Sequence, residues 1–146
     1  MTVIWGMIEH VSKGRHAIPA LDGQKTHECG ACMTIDLAFL TTTGVAPVID
    51  RPAADRLIAG DPVFSTWNHT DQDGLYWGIW QSTPGTWRVV YTEWEYCHIV
   101  SGLSVLTPEN GPARTVRAGD SFIIPRGFIG TWEVVETTTK DYVIRL

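Results

Sequence analysis

From Leu75 onward the chain alternates short apolar runs with polar or glycine-bearing punctuation. Within the runs, apolar side chains recur every second residue, the period of a half-buried strand and not that of a helix. The runs are LYWGIW, WRVVYT, EYCHIVS, LSVLT, SFIIP, GTWEVVE and DYVIRL, all rich in Val, Ile, Trp, Tyr or Thr. They return at intervals of roughly 8–12 residues, the rhythm of a β-sandwich or barrel, so the expected fold class is all-β. Between LSVLT and SFIIP, Asn110-Gly111 and Gly119-Asp120 are expected to supply the positive φ of tight turns.

Upstream the pattern weakens. One short helix is expected over residues 51–60, where Asp50 stands as N-cap, Pro52 falls in the first turn and Gly60 ends the run. It should lie outside the barrel. Residues 12–31 carry scattered Gly, His and Lys without any period, and no element is expected there. The expected organisation is an irregular or partly ordered N-terminal extension over 1–50, followed by a single domain over 51–146.

Composition narrows the function classes. With 146 residues, 44% of them hydrophobic and 18% charged, the chain suits one globular domain with a core of its own. A formal net charge of −5 provides no basic field for a phosphate backbone, so nucleic acid is not an expected partner. No apolar run approaches the roughly 18 residues of a bilayer span, and no membrane partner is expected. Three cysteines, an odd number, do not make a secreted disulfide framework, and a reducing cytoplasm is the expected location.

Two segments carry a resemblance. YTEWEYCHIVSGLSVLT from Tyr91, followed by AGDSFIIPRGFIGTWEVVE, resembles the two motifs of the RmlC-like cupin superfamily. Within it, the chain is similar to the small cupins grouped with ureidoglycine aminohydrolase and the ethanolamine-utilisation Q protein, over residues 61–146. The resemblance implies a double-stranded β-helix, a jelly-roll barrel whose interior holds a small-molecule site, usually in homodimers that exchange or abut edge strands. It also implies a metal position. In metal-binding cupins the first motif reads His-x-His, three or four residues, Glu, six residues, Gly; the second reads Gly, five residues, Pro-x-Gly, two residues, His. Here the Glu position is Glu95 and the Gly positions are Gly102, Gly119 and Gly127, but the histidine positions hold Val89, Tyr91 and Gly130. Only Glu95 keeps ligand chemistry, and neither a metal nor another cofactor is expected.

Alternation places the candidate pocket. If Glu95 points inward, so do Cys97 and Ile99, while Tyr96, His98 and Val100 face out. The same parity puts Trp87, Val89 and Tyr91 inside on one neighbouring strand, and Gly130, Trp132 and Val134 on another. Glu95 and Tyr91 are the candidate catalytic pair: a carboxylate in an apolar barrel needs a partner or a raised pKa, and the second suits proton transfer. The alternative for Glu95 is a structural acid tying strands together. Trp87, Cys97, Gly130 and Trp132 are the candidate ligand pocket, with Gly130 leaving room; Cys97 reads first as a small buried hydrophobe, with a nucleophile activated by a nearby base as the alternative.

Other residues offer further alternatives. A bulge would bring His98 into the cavity and revive a metal site, with His69 as a further ligand. His27-x-Cys29-x-x-Cys32 has zinc-type spacing, with His10 or His16 as a fourth ligand. Lys140 and Arg88 read as solvated surface residues, with a counter-ion role toward Glu95 as the alternative.

The functional expectation is an aminohydrolase-like cupin domain that binds or converts a small polar molecule in the barrel without the usual metal ligands. The alternatives are a metal-dependent hydrolase with a rearranged ligand set and a non-catalytic structural or regulatory dimer.

Overall fold

The computed structural model describes residues 37–146. Nine strands build it: β1 (Val48–Asp50), β2 (Leu57–Gly60), β3 (Phe64–Gln72), β4 (Leu75–Ser82), β5 (Gly85–Val90), β6 (Trp94–Pro108), β7 (Arg114–Arg117), β8 (Ser121–Ile124) and β9 (Ile129–Arg145). All pairings are antiparallel. Two long strands, β6 and β9, organise the rest. The first part of β9 pairs with β5 and its second part with β4, while β6 lies along nearly all of β9 and adds β8 beside its first part and β7 beside its second. The sheet therefore curls into two facing halves, β1-β3-β4-β9-β6-β8 and β2-β5-β9-β6-β7, joined through β6 and β9. This is the expected jelly roll.

Alternation sets what lies between the halves. Along β4 every second residue is buried, and Tyr76, Gly78, Trp80 and Ser82 form the inward set. Phe64, Trp80, Trp87 and Trp132 meet ring to ring, with Trp80 to Trp132 at 5.7 Å and Phe64 to Trp87 at 4.8 Å between centroids. Such tilted and edge contacts suit the ring quadrupole and fill the barrel with apolar area.

The sequence runs and the strands differ where the barrel turns its corner. EYCHIVS and LSVLT are one strand, as are GTWEVVE and DYVIRL. The register slips around Ser101–Leu103, where Gly102 takes φ +90°. A Cβ on Gly102 would lie 2.2 Å from the Thr137 carbonyl oxygen, so the close crossing of β6 over β9 requires glycine. Beside it the buried hydroxyls of Ser104 and Thr138 meet at 2.8 Å, and Thr138 donates to the Glu136 carbonyl at 2.8 Å.

Two local expectations are corrected. No helix forms over 51–60: the Ala53 carbonyl accepts from Arg56 and Leu57 at 2.8 and 3.1 Å, and after that single turn β2 pairs with β5. A helix this short is marginal alone, and a sheet edge supplies the same backbone partners. Gly60 does end the segment with a positive φ. Asn110 and Gly111 do form a turn, with the Gly111 N–H on the Pro108 carbonyl at 3.3 Å, but neither has a positive φ. Gly119 does, at +93°. The strands β1, β2, β3 and β7 carried no run distinct enough to be read. The His27, Cys29 and Cys32 spacing lies outside the described residues, and among those residues no helix is long and apolar enough to cross a membrane.

Candidate functional site

Glu95 enters the barrel from β6 and is 1% exposed. Its Oε1 accepts a hydrogen bond from Lys140 Nζ at 2.7 Å. Lys140 comes from β9, and its ammonium also reaches Cys97 Sγ at 3.5 Å. The rings of Trp132 and Trp80 lie side by side against it, with centroids at 4.6 and 5.1 Å. The cation is thus held by one carboxylate, one thiol and two indole rings, and each contact is strengthened by burial. Burial alone would lower the Lys140 pKa; Cys97 and Glu95 outweigh it and hold the value above that of a free lysine.

Tyr91 is fixed by the loop between β8 and β9. Its N–H donates to the Phe128 carbonyl and its own carbonyl accepts from Gly127, both at 2.8 Å. Gly127 takes φ +86° to make that approach, which gives the second motif's glycine a structural reason. Burial first, and then the Glu95 charge, push the Tyr91 phenol well above its usual pKa. Burial does the same to the Cys97 thiol, with Glu95 adding to it, so Cys97 stays protonated and is no nucleophile at neutral pH. Glu93 is a second buried acid: its Oε2 accepts from the Thr92 N–H at 2.8 Å and the Thr92 hydroxyl at 2.7 Å. Burial raises its pKa against those bonds. Deeper in, the Tyr142 hydroxyl donates to Asn68 Oδ1 at 2.8 Å, and a Cβ on Gly78 would meet that hydroxyl at 2.9 Å.

Several polar atoms remain unused. Glu95 Oε2, Glu93 Oε1 and the indole Nε1 atoms of Trp87 and Trp132 are buried with no hydrogen-bond partner among the described residues. A cavity of about 330 Å³ is lined chiefly by Leu106, Val116, Phe122, Ile124 and Phe128, with Arg114 and the outward Ile123 also on its wall. Ile124, Phe122 and Leu106 are the cross-strand partners of Glu95, Cys97 and Trp132, so three wall residues share a sheet face with the charged cluster, although no member of the cluster lines the cavity.

Six positions came from the sequence as site candidates. Glu95, Tyr91, Trp87, Cys97 and Trp132 are all buried in the interior. Gly130 is buried too, but the room its missing side chain was expected to leave is filled: a Cβ there would lie 2.2 Å from the Thr107 carbonyl oxygen. His98 stays on the outer face, its Nδ1 2.9 Å from the Ser121 hydroxyl, and no bulge turns it in. His69 Nε2 accepts from the Thr41 N–H at 3.3 Å. Arg88 is exposed and pairs with Glu109 at 3.1 Å. The solvated reading of Lys140 is overturned, and its counter-ion alternative is what the structure has. One signal for it was present: read as a single strand, β9 keeps even parity from Gly130 through Trp132 and Val134 to Thr138, Lys140, Tyr142 and Ile144, all buried. Splitting that strand in two hid it.

The family model described as the EutQ-like cupin domain matches residues 70–142. No curated protein sequence matches. Among solved structures, a protein of unknown function from Pseudomonas syringae pv. tomato, assigned to the DUF861 family, is 27% identical, with a TM-score of 0.62 over 74% of this chain and 45% of that one. The Clostridium difficile EutQ protein is 17% identical, with a TM-score of 0.53 over 57% of this chain and 63% of that one. A putative ethanolamine utilization protein Q from Salmonella typhimurium is 13% identical, with a TM-score of 0.52 over 69% of this chain and 96% of that one. The last two show the fold alone. This chain therefore spans under half of the first of these proteins and under two thirds of the second.

Proposed function

The chain belongs to the EutQ-like cupin domain family, and from that premise we propose that its barrel binds a small polar molecule beside Glu95, with Tyr91 and Trp132 as neighbours and the apolar cavity receiving the rest of the ligand. One observation carries this reading. Glu95 is buried with one oxygen on Lys140; the other, Oε2, makes no hydrogen bond of 3.5 Å or less, and Tyr91 and Cys97 are close enough for Glu95 to raise both their pKa values. A buried ion pair is a poor source of stability compared with apolar packing, and an unpaired carboxylate oxygen is costlier still. A ligand N–H or O–H would satisfy it, which favours an amine, amide or alcohol. Turnover would add proton transfer at Glu95, with the Tyr91 phenol as a hydrogen-bond donor to the ligand.

The aminohydrolase of the resemblance is a separate reading, which the ligand positions do not favour: they hold Val89, Tyr91 and Gly130. The same proposal places the protein in the cytoplasm as a homodimer; the outward Val100 and Ile123, 49% and 54% exposed, support a contact between copies.

A panel of small amines, amides and alcohols, read by thermal shift, tests the site. A compound at about 100 times its Kd adds about 2.7 kcal/mol to the native state, a shift of several degrees. The expected result is a shift in the wild type that Glu95→Gln abolishes. A shift that Glu95→Gln leaves unchanged removes Glu95 from the site, and silence across the panel favours the structural dimer.

A further inference from the structure

We propose that the Lys140 ammonium is the resident cation of this barrel, standing where a divalent metal ion would sit against Glu95 and closing the position to such ions. The motifs align Glu95 with the carboxylate that metal-binding cupins use, which makes the fit of an ion here a question of donors and space. A bound zinc needs carboxylate oxygen at about 2.0–2.2 Å and thiolate sulfur at about 2.3 Å. The point between Glu95 Oε1 and Cys97 Sγ, two ligating atoms on one face of β6, is already filled by Nζ, at 2.7 and 3.5 Å. Two positive charges a few ångströms apart in a dry interior repel strongly. Stepping aside would also cost the ammonium its contacts with the Trp132 and Trp80 rings, whose centroids lie 4.6 and 5.1 Å from Nζ.

The other ligand positions agree. Val89 offers no donor, and Gly130 cannot be the site of a restored imidazole while the Thr107 carbonyl stands 2.2 Å from where its Cβ would be. Glu95 and His98 lie on opposite faces of β6. Among the described residues no three His, Cys, Asp or Glu side chains come together in a way that could hold an ion. The residues present do not fit a metal; they fit a tethered cation that cannot dissociate. The charge opposite Glu95 is then independent of metal supply and of chelators.

The test uses the full chain and zinc alone. The side-chain carboxyl carbon of Glu95 is observed by NMR and assigned by its loss in Glu95→Gln. Reading at Glu95, and not by total metal content, keeps His27, Cys29 and Cys32 out of the result. In the wild type the signal should stay in place through a large excess of zinc. Lys140→Met, which removes the charge and keeps the length, leaves Glu95 and Cys97 as two donors whose shell water can complete, so zinc should move the signal there, weakly but more than in the wild type; Lys140→Gln is the second variant. Movement in the wild type overturns the proposal, as does a Glu95 signal that ignores zinc in a folded variant lacking the ammonium. If neither variant folds, the wild-type arm decides alone. The ligand panel is not involved, so its failure and the failure of this proposal are separate results.

Discussion

Remove the ammonium from Lys140 and Glu95 is left as an uncompensated charge in a space where both side chains are at most 5% exposed. Breaking a buried pair from one side costs about 3–5 kcal/mol, whereas replacing both members by apolar groups of similar volume is often neutral or better. Lys140→Met should therefore lower the urea-unfolding free energy by about that amount, and Lys140→Met with Glu95→Leu should recover most of it. Alkaline pH probes the same pair. The folded pKa of Lys140 is raised, so its contribution is complete below the unfolded lysine value of about 10.4 and is lost as pH climbs through the folded value. The wild type should lose stability more steeply than the double variant above about pH 10, measured as the urea midpoint; parallel curves would remove Lys140 as the cause. The pair was half legible in the sequence. Glu95 stood out because motif spacing and strand parity agreed on it. Lys140 did not, because a lysine is read as surface by default and parity across a bent strand is trusted only if the strand is known to continue.

At the scale of elements, the corner where β6 crosses β9 is the least substitutable part of the chain. Gly102 combines a left-handed φ of +90° with a backbone oxygen 2.2 Å from its absent Cβ. Gly102→Ala must find either a new φ or a new crossing distance, and strained backbone of this kind costs about 1–3 kcal/mol before the clash is counted. The expected loss is at least about 2 kcal/mol by chemical denaturation, and a loss within experimental error would mean the corner is softer than the crossing implies. That corner also explains what the alternation pattern could and could not deliver. Apolar periodicity located most residues of β4, β5, β6, β8 and β9, since each has one face on the core. It broke the long strands at Gly102 and near Glu136, because a bend looks like a turn when only local residues are read. The helix expected over 51–60 failed for the opposite reason: its capping residues are real turn formers, and pairing with β5 outweighed a propensity worth little over so few residues.

For the whole molecule, two halves of a curled sheet hide their inner faces from water and leave two pairs of edges, β1 with β8 and β2 with β7. The fold class was legible at this scale because two motifs resemble one superfamily; the strand order was not, since β5 lies beside β9 and not beside β6, and short edge strands with mixed exposure leave weak patterns. Edges and the outer faces beside them are where a second copy would dock. On the outside of β6 and β8, Tyr96 sits opposite Ile123 in register, and Val100 lies farther along the same face. A pair of identical chains meets most often about a two-fold axis, so one patch contacts its own copy and any substitution enters the contact twice. Val100→Lys with Ile123→Lys would bring like charges together there, while costing the isolated domain little because both side chains are about half exposed. Sedimentation velocity should find the wild type as a dimer and the double variant as a monomer, with the thermal midpoint at low protein concentration nearly unchanged. A variant that stays dimeric moves the contact to the β2 and β7 edges, and a wild type that sediments as a monomer ends the dimer proposal while leaving the Lys140–Glu95 site as it stands.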